Sequence, residues 1–186
     1  INKELDVNDF WEGPLKDGIT AYGHHVYIPY SPASMFYIYN KTMFDDAGID
    51  HFPETWDEFF EVAPKLRKDK DGDGVIDQWP YIMPGVGMAG YFSMVFKFIT
   101  FAIGGEDYSR FYYNPETKKY CFNGPEGYEA LSWIKKMYDE EYIPDPTKVS
   151  VDEMVNWFTS EKIGFFDAWT SHYFTIKEQN PDLYNR

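Results

Sequence analysis

The sequence has 186 residues, enough for one domain with a real core and too few to count as two on size alone. Apolar residues make up 44% and charged residues 26%, which excludes a disordered chain. With 17 Lys and Arg against 31 Asp and Glu the net charge is −14, a field that repels phosphate backbones and anionic lipid and argues against nucleic acid and membrane surfaces as partners. The single cysteine, Cys121, forbids an internal disulfide and a cysteine-based zinc site.

In chain order, Ile1 to Gly18 offers no clear element and nothing resembling an export signal, having neither a basic start nor an apolar run. Val26–Tyr30 and Met35–Tyr39 read as strands around the turn residues Ser31 to Ser34. A short helix over Lys41–Ala47 stops at Gly48, and Thr55 with Glu58 forms a capping box. The helix opened there carries Trp56, Phe59, Phe60, Ala63 and Leu66 on one face, and Pro64 inside it predicts a kink. Gln78–Met83 reads as a strand. The apolar run Met88–Ile103, too short to span a bilayer, predicts a buried helix ending at Gly104 and Gly105. A strand over Tyr120–Phe122 leads to a helix from Pro125 to about Tyr138. A helix over Val151–Phe158, a strand over Lys162–Phe166 and a turn over Asp167–Ser171 precede a last helix. Alternation of this kind predicts an α/β layered domain. Neither end closes an element, so the expectation is a fragment of a longer protein.

The sharpest local motif is Asp69-Lys70-Asp71-Gly72-Asp73-Gly74-Val75-Ile76-Asp77. Acids at alternate places, a glycine sixth and an acid ninth match most of a calcium loop, because Ca²⁺ takes six to eight oxygens and the glycine permits the turn that gathers them. Asp69, Asp71, Asp73 and Asp77 would supply side-chain oxygens and Val75 its carbonyl, with Ile76 anchoring the loop. The twelfth place is Pro80, so the usual bidentate Glu is absent, and a solvated acidic turn is the competing reading. His24 and His25 would point to opposite faces of a strand and cannot chelate one metal. No nucleophile triad, phosphate loop or dinucleotide fingerprint is present.

Aromatics make up 20% of the chain. Tyr30, Tyr91, Phe92 and Trp169, with His172, fall where strands end or helices begin, the edge at which α/β sheets collect ligands. An aromatic face there suits the C–H face of a sugar ring, and structural packing fits the same positions equally well. Ser31, Ser34, Asp167 and His172 are the hydroxyl partners expected beside them.

The segment Val26-Tyr27-Ile28-Pro29-Tyr30, Tyr39-Asn40-Lys41, Ala47-Gly48-Ile49 and Pro53-Glu54-Thr55-Trp56-Asp57-Glu58 resembles the extracellular solute-binding proteins of carbohydrate ABC transporters, the maltose-binding-protein-like class. Phe158 to Phe165 is similar to that family's Phe-x-x-Gly-Lys-x-Ala-Met, with Glu161 and Gly164 departing at the Gly and the Ala. The resemblance implies an α/β type II fold of two lobes, of which residues 1–28 would end the first lobe and 29–186 form an incomplete second lobe. It implies a binding protein and not an enzyme, taking a sugar or oligosaccharide, delivering it to ABC permease subunits, monomeric and extracytoplasmic; the cofactor expected, from the acidic loop itself, is a structural Ca²⁺. On the family's pattern Tyr30 to Ser34 line the hinge and cleft, Tyr91 and Phe92 match the aromatic opening the cleft helix, and Trp169 matches the stacking aromatic. The rival expectation is a calcium-stabilised carbohydrate-active hydrolase domain, and a third is a calcium-dependent adhesion module.

Overall fold

The computed structural model describes residues 6, 9–17, 34–87, 90–104, 118 and 122–184. The chain divides into two compact units, Ile1–Met35 and Phe36–Arg186. In the first, helix α1 spans Glu12–Asp17, in a stretch that sequence reading left without an element. The predicted strand Val26–Tyr30 lies outside the described residues.

The second unit is built on a sheet of three strands in the order β1-β3-β2: β1 Met35–Tyr39, β2 Trp79–Tyr81 and β3 Ile163–Trp169. Strands β2 and β3 are parallel, with Trp79 opposite Ile163 and Tyr81 opposite Phe165. Adjacent residues of a strand face opposite ways, so Phe165 and Phe166 each anchor one face. Against Phe165 lie Phe59 of helix α3 (Trp56–Leu66) and Tyr81. Against Phe166 lie Phe158 of helix α6 (Met154–Thr159) and His172 of helix α7 (Thr170–Gln179). β3 is consequently buried along Ile163–Ala168, as a central strand covered on both faces must be.

Local chemistry explains the elements. Asn40 accepts from the Met43 amide at 3.1 Å to start α2 (Lys41–Asp46), and Gly48, at φ 66°, ends that turn in the left-handed region glycine tolerates. Thr55 accepts from the Glu58 amide at 3.2 Å, while Glu58 accepts from Glu54, one residue earlier than a standard box would place it. α3 continues through Pro64 to Leu66. Proline so near the end removes a single ladder bond, and it sits on the exposed side. Helix α4 (Gly90–Gly104) buries Tyr91, Val95 and Ile99 at a spacing of four and pairs with α5 (Pro125–Asp139). Among the described residues no helix is long and apolar enough to cross a membrane.

Four expectations need correction. The strand over Gln78–Met83 shortens to Trp79–Tyr81, with Gln78 instead bridging to Lys68. Phe122, expected in a strand, is in a turn. The helix over Val151–Phe158 is a 3₁₀ turn, Val151–Glu153, running into α6. β3 carries on through Asp167 and Ala168 to Trp169, where a turn was expected. Helix α8 (Pro181–Tyr184), which packs on α7, was not foreseen.

At Gly164 a Cβ would stand 2.8 Å from the Pro80 carbonyl oxygen of β2. The close approach of the two strands thus accounts for a glycine where the similar family pattern has alanine.

Candidate functional site

The C-terminal end of β3 and the first turn of α4 come together around one carboxyl group. Asp167 is 7% exposed. Its Oδ2 accepts from the Tyr81 hydroxyl of β2 and, at 3.5 Å, from the Tyr91 hydroxyl of α4, which also lies 3.3 Å from the Asp167 backbone oxygen. Tyr37 of β1, a residue 42% exposed, interacts electrostatically with the same carboxyl. Burial pushes the Asp167 pKa up to about 6, with the hydrogen bonds from Tyr81, Tyr37 and Tyr91 opposing it. Burial also raises Tyr37, Tyr81 and Tyr91, and the neighbouring Asp167 charge raises them further.

Two residues beyond Asp167, Trp169 ends the strand half-buried, with His172 stacked on it at 5.7 Å between ring centroids and 22° between planes. The Trp169 amide donates to His172 Nδ1 at 3.3 Å, which caps α7. With Nδ1 accepting, the neutral ring carries its proton on Nε2. Burial lowers the His172 pKa, consistent with that neutral form. Of the other residues expected at the ligand, Phe92 is half-buried against the core. Ser34 is exposed just ahead of β1, and Tyr30 and Ser31 lie outside the described residues. The structure therefore joins Tyr91 to Asp167 and Trp169 to His172, and turns the first pair inward. Tyr37 and Tyr81 belong to this cluster and had no signal in the sequence. Tyr81 is 86 positions from the carboxyl it serves.

On the Phe165 face, beside the start of α3, a cavity of about 450 Å³ is lined by Tyr37, Phe52, Trp56, Phe98, Trp133 and Phe165 among others. None of the described residues expected at the ligand lines it.

The acidic loop is closed by the Lys68–Gln78 bridge, with paired amide bonds of 2.9 and 3.0 Å. Asp69, Asp71 and Asp77 place one oxygen each within 4.8 Å of one another, a spread one cation can span. Asp73 is not in that group. It accepts from the Val75 amide at 2.8 Å, and Asp71 accepts from the Asp73 amide at 3.2 Å. Amides of Gly74 and Gly72 donate to Asp69 at 2.9 and 2.7 Å and hold its pKa below the usual carboxylate value. Gly72 and Gly74 take φ 78° and 88°, so glycine is required at both turns. Ile76 is buried as the anchor, and Pro80, at the twelfth place, is buried in β2 and offers no side-chain ligand.

A three-stranded α/β sheet with helices on both faces of its central strand is a fold that solved proteins share. The chain belongs to the bacterial extracellular solute-binding proteins, whose family model matches residues 1–185. Its fold is similar to that of an ABC transporter solute-binding protein from Thermotoga lettingae bound with α-D-tagatose, at 22% identity over 93% of this chain and 42% of that one, with a TM-score of 0.74. A solute-binding protein from Agrobacterium vitis with bound D-mannitol matches at 21% identity, 100% and 42% coverage and a TM-score of 0.72. UgpB from Mycobacterium tuberculosis, in complex with glycerophosphocholine, matches at 22%, 94% and 40%, with a TM-score of 0.71. This chain therefore spans about two fifths of the length of these solved relatives, and the shared architecture is that of a lobe of the type II fold. No curated protein matches the sequence.

Proposed function

We propose that this chain is the ligand-contacting lobe of an extracytoplasmic receptor that binds a sugar, oligosaccharide or related polyol and delivers it to an ABC permease. The observation that carries this reading is the family match across residues 1–185. Polyhydroxylated ligands in two of the similar structures support the ligand class. In this reading the receptor works as a monomer without turnover, and the lobe closes with a partner lobe on the ligand. The aromatic edge formed by Trp169 and His172 stacks on the ring, with Tyr91 and Phe92 behind it and Asp167 beneath. The test is calorimetric titration of the full-length receptor with a panel including tagatose, mannitol and maltose, beside a glycoside turnover assay. Binding without turnover is the expected result, and hydrolysis of any glycoside overturns it.

Trp169 is expected to supply the largest single share of ring contact. Trp169→Ala in the full-length receptor should weaken binding of whichever ligand the panel identifies by at least about tenfold, roughly 1.4 kcal/mol, with little change in melting temperature. An unchanged affinity per folded molecule would remove Trp169 from the binding face.

We further propose that Asp69, Asp71 and Asp77 hold one structural Ca²⁺, with Asp73 and the Val75 carbonyl completing the shell through water or a small loop adjustment. Convergence of three carboxylate oxygens and the two left-handed glycines support this reading. Calcium at about a hundred times its Kd should stabilise the fold by roughly 2.7 kcal/mol. Thermal melts with calcium and with chelator should then separate for the wild type and coincide for Asp71→Ala. Coincident wild-type curves would dismiss the ion.

A further inference from the structure

We propose that Asp167 is a proton-responsive positioning residue: its ionised carboxylate gathers the hydroxyls of Tyr37, Tyr81 and Tyr91, ties the first turn of α4 to the end of β3, and loosens that tie on protonation. The proposal rests on the strand-end edge being the ligand face only for its consequence, since the tie itself is read without any ligand.

The donor and acceptor inventory carries it. An ionised carboxylate only accepts, and a tyrosine hydroxyl carries one proton to donate. Two hydroxyls, from β2 and α4, donating to one buried carboxylate, with that of Tyr37 on β1 interacting beside them, are therefore matched to its charged form. Once protonated, the carboxyl carries a donor of its own and accepts less strongly, so the weakest of the hydroxyls donating to it is the one released. Tyr91 stands at the outer limit of a hydrogen bond to Oδ2, at 3.5 Å. Tyr91 also has an alternative acceptor already in reach, the Asp167 backbone oxygen at 3.3 Å. Tyr91 is thus the member that lets go of the carboxyl, and it begins α4 beside Phe92. Among the described residues, Tyr37, Tyr81 and Tyr91 are the side chains that act on the charge of Asp167, and its burial holds its proton affinity high enough for the exchange to fall near pH 6. His172 faces Trp169 and Phe166 instead.

The test uses the whole chain with ¹³C-labelled aspartate side chains, following the Asp167 carboxyl resonance against pH, beside hydrogen exchange of the α4 amides. The wild-type resonance should titrate near pH 6, and Tyr91→Phe, which removes one donor to the ionised form, should move the midpoint upward by about half a unit or more. Protection of residues 91–95, corrected for intrinsic exchange, should fall about tenfold between pH 7.5 and 5 in the wild type and stay level in Asp167→Asn. If Asp167→Asn does not fold, the Tyr91→Phe midpoint decides alone. A midpoint in the ordinary carboxylate range, an unmoved midpoint in Tyr91→Phe, or α4 protection indifferent to pH in the wild type would each overturn the proposal. None of these readouts involves sugar, so their failure is distinct from a failure of the receptor reading.

Discussion

Phe59→Ala should lower the free energy of unfolding by about 3–5 kcal/mol, the range for deleting a buried phenylalanine ring, and the melting temperature by roughly 6–20 °C for a domain of this size. Phe59 is 2% exposed and meets Trp56, Phe60, Tyr81, Tyr142 and Phe165, so its ring joins α3 to both parallel strands. The contacts are mostly edge-to-face, which adds to plain area burial. The neighbours are large and mutually braced, so the space left behind cannot collapse cheaply. Urea unfolding of the variant checks this. A loss under about 1 kcal/mol, the level of a routine surface-to-intermediate change, would mean that α3 is not the lid of this core.

The second large effect has a sign set by pH. Asp167 has a folded-state pKa of about 6 against an ordinary 3.8, so the folded protein binds this proton more tightly than the unfolded chain. Stability from this group is complete below the unfolded value and is lost as pH rises through 6. Two units correspond to on the order of 2–3 kcal/mol. Relative to the wild type, Asp167→Asn should therefore gain stability between pH 4 and pH 8 by about that amount, because the amide never has to bear a buried charge. Denaturant titrations of both proteins at the two pH values measure it. A constant difference across the range would show that the carboxyl titrates as if exposed. Global stability and the local hold on Tyr91 thus move in opposite directions with pH, which separates the two effects of one proton.

Much of this fold could be read from residues. Trp56, Phe59, Ala63 and Leu66 recur at helical spacing between a Thr cap and a basic end, and the structure buries that face. Gly48 after Lys41–Asp46 marks a left-handed stop and adopts one. β3 was harder. Phe-Asp-Ala-Trp looks like a strand giving way to a turn because aspartate is rare in strands, and only the tyrosines of β1, β2 and α4 make its burial tolerable. Those tyrosines come from distant parts of the chain, so no local spacing announces them. For the same reason the sequence indicates an aromatic edge at Trp169 and His172 but not the cluster beneath it. The helix α8 was missed because Pro181 at its first position reads as a break, although proline there opens a helix as readily as it ends one.

The acidic loop has one more consequence, concerning rates. Each of its four aspartates already accepts a main-chain amide, with Asp77 taking that of Lys70 at 2.7 Å, and the Lys68–Gln78 bridge pins both ends. A loop wired in this way needs no more than a small adjustment to take a cation among its carboxylates. A cation there would enter and leave without the chain refolding, so exchange would be set by desolvation of the ion rather than by folding of the loop. Chelation would then remove a counter-charge and leave mutual repulsion among the acids, a deficit that ordinary salt can screen. A metal there would serve as ballast for the turn and not as a switch.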